Sequence, residues 1–371
     1  MCQENVSPLT TDPSYTANTS TPTASLTVLR KDFLSLLTLV YTSSTKVALS
    51  LRPSEPAYSA SIDPITDLVK HTSSLATCAT LFDPYGVTLA KHVRQSAKDV
   101  LEAVQSLSQT FSRITSDTSQ VADGDDFLVR TGAVHDIIET IKRELPEDNV
   151  AAVKKKYVVD RDMMEDSLQE VSDLLEDAAA DGEDEGFGSD DDDFGNDEWD
   201  ELGFGSSKKL SEAEVERLKK IQPLLRLSVL LHKRIFLDLL KNIKATTAEE
   251  NRRAETMLDV SNTLLIAHED LVAGLHAPQK LLTVQSSLTA LSDASQKVKD
   301  ILLRENFLPE PRDPTTELEQ KMAAASIKES NPSGGAGASQ KKERDIRKWF
   351  DTAFDQVQKI SRKLHDEIDT P

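Results

Sequence analysis

Apolar residues recur along this chain at helical spacing, in long runs separated by short polar turns. From Ala24, the positions Leu29, Phe33, Leu36, Leu37, Val40, Val47 and Leu51 fall on one helical face. Arg52-Pro53-Ser54-Glu55-Pro56 ends that helix, because proline lacks an amide and clashes with the preceding turn. A second helix is predicted through Ile62, Ile65, Leu68, Val69, Leu75, Ala76, Ala79 and Phe82, and the turn Asp83-Pro84-Tyr85-Gly86 closes it. The third is the most regular. Val93, Val100, Leu107 and Ile114 repeat by heptads, with Ala97, Val104 and Phe111 interleaved. Beyond a polar loop at 115–125, a shorter helix from Phe127 to Leu145 stops at Pro146. The next opens on Glu147 and Asp148, where the helix dipole favours carboxylates, and carries Val150, Val153, Tyr157, Met164, Leu168, Val171 and Leu175.

A second helical half follows residue 208. Ser211 with Glu214 has the spacing of a capping box. The helix it starts is apolar on nearly every side, which predicts a central position in a bundle, and Pro223 is expected to kink it. Leu258, Leu265 and Val272 mark one further helix. Leu281, Val284, Leu288, Leu291, Val298, Ile301 and Leu302 mark another, with Pro278 at the turn between them. Residues 307–340 read as a flexible Pro/Gly-rich insert. A last helix from about Lys341 carries Ile346, Phe350, Ala353, Val357, Ile360 and Leu364. No stretch alternates as a strand would. The fold class is all-α: a bundle over 24–180, a second over 208–306, and a helix at 341–368 that closes one of the two.

Charge changes the picture at one place. The chain carries a formal −20, and the stretch from Asp181 to Glu201 supplies twelve carboxylates with no Lys or Arg. A segment this acidic cannot bury enough apolar surface to offset its ordering entropy, so 181–207 reads as a disordered acidic linker and 1–23 as a disordered arm. An acidic surface repels phosphate backbones and anionic lipid, which excludes direct nucleic-acid and membrane binding as the expected activity. Two cysteines form neither a disulfide framework nor a metal cluster. With no apolar span and no leader pattern, a cytoplasmic and nuclear location is expected.

The pattern holds no Walker loop, no nucleophile elbow and no HExxH, and its seven histidines are scattered. It calls for no enzyme, no metal and no cofactor. Asp190 to Glu201 approaches a calcium loop but fails at Phe194, in the fifth position, and at Asp197, in the eighth, which leaves weak cation binding at most. Ser189 precedes four aspartates and is a candidate phosphorylation site for an acidic-directed kinase. A serine in any acidic run looks the same, and both readings stand. Phe187, Phe194, Trp199 and Phe204 are candidate partner contacts, single apolar anchors kept soluble by the surrounding charge. For the portion from Trp199 to Phe204, which abuts the next helix, packing onto that helix is the favoured reading.

Four stretches carry a resemblance: Asp126-Phe-Leu-Val-Arg-Thr-Gly-Ala-Val-His-Asp136, Leu145 to Lys156, Trp199-Asp-Glu-Leu-Gly203 and Leu225 to Arg234. Together they resemble the cyclin-D-binding (GCIP-like) protein family over residues 25–306, and look most like its fungal-type members. The resemblance implies elongated antiparallel bundles of the vinculin and α-catenin kind. It also implies a non-enzymatic cell-cycle regulator that binds protein partners, cyclins or helix-loop-helix-type regulators, through helix faces. A cytoskeletal or adhesion-type adaptor is the alternative reading of the same architecture.

Overall fold

The computed structural model describes residues 24–116, 125–180, 209–244, 247–308 and 336–368. Among them all regular structure is helical. In chain order the helices are α1 (Leu26–Ser50), α2 (Tyr58–Thr80), α3 (Val87–Ser116), α4 (Asp126–Glu144), α5 (Asn149–Ala180), α6 (Glu212–Arg234), α7 (Ala248–Ala273), α8 (Leu281–Arg304) and α9 (Ala336–Ile368).

Local chemistry sets the ends. Ser25 caps α1 by accepting from the Val28 amide. Between α2 and α3, a 3₁₀ turn at Asp83–Tyr85 leads into Gly86, whose φ of 131° favours glycine. A side chain there would also collide with Asn149, since a Cβ would lie 2.1 Å from the Asn149 Cγ. The Asn149 side chain is held from both ends. Its Oδ1 accepts from the Leu89 amide (2.9 Å) and its Nδ2 donates to Glu255 (2.8 Å). Glu255 in turn takes the Thr88 amide and hydroxyl, so the first turn of α3 is capped by side chains from α5 and α7. The Ser211–Glu214 capping box forms as the spacing predicts. At the far end of α8, Asn306 adopts a left-handed φ of 52° and the Phe307 amide closes back on the Leu302 carbonyl.

The chain forms two compact units. The first holds α1 to α4 with the start of α5 and residues 244–255; the second holds the remainder. In the first, Phe33 meets Phe82 and Ser43 meets His71, while the Arg30 guanidinium donates to the Leu145 and Pro146 carbonyls and Thr45 meets His135. These pairings run α1 antiparallel to both α2 and α4. In the second, Tyr157 donates to the His232 carbonyl and Gln222 to Ser172, which sets α5 antiparallel to α6. Gln358 donates to the Ser292 carbonyl and Lys220 pairs with Glu367, so α9 joins this unit against α8 and α6.

Several expectations change. The sequence reading divides the chain at the acidic stretch, whereas the compact units divide within α5, between Lys155 and Lys156. Ala152 packs with the first core, and Met164, Leu168 and Val171 pack with the second. Ile62 and Ile65, read as core, are 62% and 40% exposed; Leu68 is buried as expected, and Ser61 and Thr72 bury beside it. α7 turns Ala254, Met257, Val260, Leu264 and Leu271 fully inward, leaving Leu258 half-buried. α6 continues through Pro223 and leaves α geometry at Ile235–Leu239, a π turn, rather than at the proline. α9 begins at Ala336, inside the expected insert. The acidic stretch, with Phe187, Ser189, Phe194, Trp199 and Phe204, lies outside the described residues, as does the amino-terminal arm.

Candidate docking surface

α4 is the element on which the candidate site is built. Its inner side buries Phe127, Thr131, Val134, Ile138 and Ile141. Helical periodicity then turns Val129, Gly132, Ala133 and Asp136 away from that core. Val129 is 66% exposed and its neighbour Leu128 is 54% exposed, on a helix whose core-facing side is already filled.

Between α4 and the carboxyl-terminal end of α1 runs a groove of about 710 Å³. Leu49, 71% exposed, and Leu128 rise beside it, while Ala48, Phe127 and Thr131 form a buried base. Gly132 lies along the same base, and a Cβ added there would meet nothing within 4 Å. A glycine inside a helix costs about 1 kcal/mol relative to alanine. Neither a positive φ nor a close neighbour requires it here. What the missing side chain supplies is depth.

His135 closes one end of the groove. The Thr45 hydroxyl donates to the Tyr41 carbonyl, so the His135 Nε2–H donates to Thr45 Oγ1 at 3.0 Å. The ring stacks on Tyr41 at 3.8 Å between centroids. Burial lowers the His135 pKa from its ordinary value against the pull of the Tyr41 carbonyl and of Asp136 and Glu139, so the ring is neutral at pH 7. Arg52 and Asp125 stand at the opposite end.

On its other side, α4 and α3 bound a second groove of about 570 Å³. Ala103, Ala133 and Ile137 give it an apolar floor, and Asp99, Glu102 and Asp136 line its rim. Arg130 also reaches it but is held 3.4 Å from Asp126.

The second unit carries a buried polar network. Asp160, Ser261, His232 and His268 are enclosed among α5, α6 and α7. Lys156 Nζ lies 2.6 Å from Asp160, and the Ser261 hydroxyl donates to the other carboxylate oxygen at 2.8 Å. With that proton committed, His232 must donate through Nε2 to Ser261 (2.7 Å). Ser228 gives its proton to the Leu225 carbonyl and accepts from the His268 Nδ1 at 2.7 Å. Burial, followed by the Arg161 and His268 charges, pushes the His232 pKa down to about 3. Burial brings His268 to about 4 against the Met164 carbonyl. Histidine, serine and aspartate meet here, but the serine proton points to the carboxylate. The arrangement ties helices together. Cys78 is likewise buried, its thiol pushed up to about 11 by burial and by Asp32, which suppresses the reactive thiolate. Among the described residues no group of three or more His, Cys, Asp or Glu is placed to hold a metal ion, and no helix is long and apolar enough to cross a membrane.

Two family models match the chain: Grap2 and cyclin-D-interacting, N-terminal, over residues 32–177, and Grap2 and cyclin-D-interacting, C-terminal, over residues 195–300. The chain belongs to this family. A curated relative, the Cyclin-D1-binding protein 1 homolog of Xenopus laevis, is 28% identical over 229 residues, which are 61% of this chain. The matched region spans 64% of that relative's length. Both grooves of this Grap2 and cyclin-D-interacting family member lie within the amino-terminal match, and α4 contains the stretch 126–136 on which the resemblance rests. Sequence reasoning placed its candidate contacts in the acidic stretch and passed over α4. The available signal was Gly132, a glycine inside an otherwise helical run.

Proposed function

We propose that this protein is a non-enzymatic, protein-binding regulator of the cyclin-D-binding type, and that it receives an amphipathic helix of its partner in the α1–α4 groove. The observation that carries the proposal is the groove itself: two exposed leucines beside a base opened by a glycine that the fold does not require. Helix-in-groove recognition uses apolar anchors at i, i+3 or i+4, and i+7, and needs an apolar trough of this kind. Covering the exposed parts of Leu49 (71%) and Leu128 (54%) would contribute about 1–2 kcal/mol each. Family membership supports the choice of a cell-cycle partner, since the Xenopus relative is named for binding cyclin D1.

The test is capture of a purified D-type cyclin by the intact chain and by Leu49→Asp/Leu128→Asp. Both leucines are exposed, so the double variant is expected to keep its melting temperature and to bind at least a hundredfold more weakly. Unchanged capture by a folded double variant would remove the groove from the account. No capture by the wild-type chain would remove the cyclin.

A further inference from the structure

The α3–α4 groove has a different chemistry from the α1–α4 groove, and the cyclin reading does not use it. Its floor is small and apolar, from Ala103, Ala133 and Ile137, which lets a helix approach closely. Its rim is negative. Asp99 and Glu102 sit one turn apart on α3, and Asp136 faces them from α4. Local cations answer this charge weakly. Lys98 stands 3.7 Å from Glu102, Arg130 is drawn to Asp126, and Asp99 accepts from the uncharged Gln95 amide. Among the described residues Asp136 has no ion-pair partner. The whole chain adds a formal charge of −20, a field that draws cationic partners toward it and repels anionic ones.

We propose that the α3–α4 groove is a second docking site, and that its occupant is a basic amphipathic helix of a partner protein. The partner's apolar side lies on Ala103, Ala133 and Ile137, and Lys or Arg side chains flanking that side reach Glu102, Asp99 and Asp136. An acidic or uncharged helix of the same apolar pattern covers the floor but leaves the carboxylates without partners. The rim thus selects by charge, and the floor admits any helix with small or flat contact residues.

The probe is a set of three synthetic 18-residue helical peptides with one shared leucine/alanine face, flanked by lysine, glutamine or glutamate. Binding to the full-length protein is read by fluorescence anisotropy at two salt concentrations. The lysine peptide is expected to bind at least tenfold more tightly than the glutamine peptide, and the glutamate peptide not at all. Because the protein is acidic throughout, the decisive comparison is between two charge-matched variants. Glu102→Lys/Asp136→Lys changes the rim, and Glu212→Lys/Glu216→Lys makes the same change on α6. Loss of at least tenfold in the rim variant with less than twofold in the α6 variant supports the site. Equal losses in both, or none in the rim variant, overturn it. Each variant is checked for an unchanged thermal melt. If the peptide-free protein self-associates in sedimentation and Asp136→Lys abolishes that, the occupant is a second copy of the chain and the proposal falls.

Discussion

Histidines record how individual side chains are used in this molecule. In both units a serine or threonine gives its own proton to a helix carbonyl and accepts from a histidine on a neighbouring helix: Ser43 with His71, Thr45 with His135, Ser228 with His268. A donating ring nitrogen is available in neutral and in charged imidazole alike, so it is burial, not these hydrogen bonds, that disfavours the charged ring at His232 and His268. For His232 and His268 the folded-state values, about 3 and about 4, lie below the ordinary 6.5. The unfolded chain therefore binds the extra protons first. Stability from these sites is fully present above pH 6.5 and is lost as pH falls from 6.5 toward 4 and 3, by up to ~1.4 kcal/mol per pH unit for each histidine. Urea denaturation of the intact protein at pH 7.5 and pH 5 should show the lower midpoint at pH 5, with a smaller difference in His268→Leu. An identical difference in that variant would mean the acid sensitivity lies elsewhere. Gly86 makes a second residue-scale case. Gly86→Ala meets both a positive φ and the Asn149 side chain, and should destabilise by about 3 kcal/mol by chemical denaturation. A loss under 1 kcal/mol would show that Asn149 can move aside without cost. None of these pairings was legible in the sequence, because hydroxyl and imidazole from distant positions meet through packing and leave no spacing signature.

Elements were far more legible. The heptads of α3 bury Val93, Val100 and Leu107 as their period requires, and the Ser211 capping box starts α6. Errors arose where apolar content exceeded the space available. α2 carries Tyr58, Ile62 and Ile65 on a face that its neighbours do not cover, and periodicity alone cannot say which apolar stripe wins the core. At the carboxyl end, α9 buries Phe350, Phe354, Val357 and Leu364. Truncation before Ala336 should expose those partners in the second unit and lower its melting transition by more than 10 °C in calorimetry, on the scale of losing several core side chains. An unaltered transition would show α9 to be an appendage. For α4, Gly132→Leu should raise the melting temperature slightly, as glycine replacement in a helix does, while weakening partner capture at least tenfold by filling the groove. A variant that gains stability and loses binding cannot be explained by misfolding. One that gains stability and binds normally would leave Gly132 without a role in recognition.

At the scale of the whole molecule, the all-helical class and family membership were readable from the chain, and the division into units was not. The acidic stretch is the conspicuous boundary in sequence, yet compactness follows the buried faces, and α5 contributes Ala152 to one core and Val171 to the other. Recognition through helix faces was expected from the family resemblance, but the residues that line the grooves were not singled out, for a related reason. Charge and aromatic residues draw attention to residues 181–207, whereas the grooves are made by ordinary leucines, alanines and one glycine whose importance lies in what they leave open. The central claim is that partner binding occurs on the α1–α4 groove, and hydrogen–deuterium exchange of the intact protein with and without a captured D-type cyclin tests it most directly. The account predicts new protection from Thr45 to Arg52, at and just beyond the end of α1, and in α4 from Phe127 to His135. Protection confined to other helices, with these two segments exchanging as they do in the free protein, would contradict it.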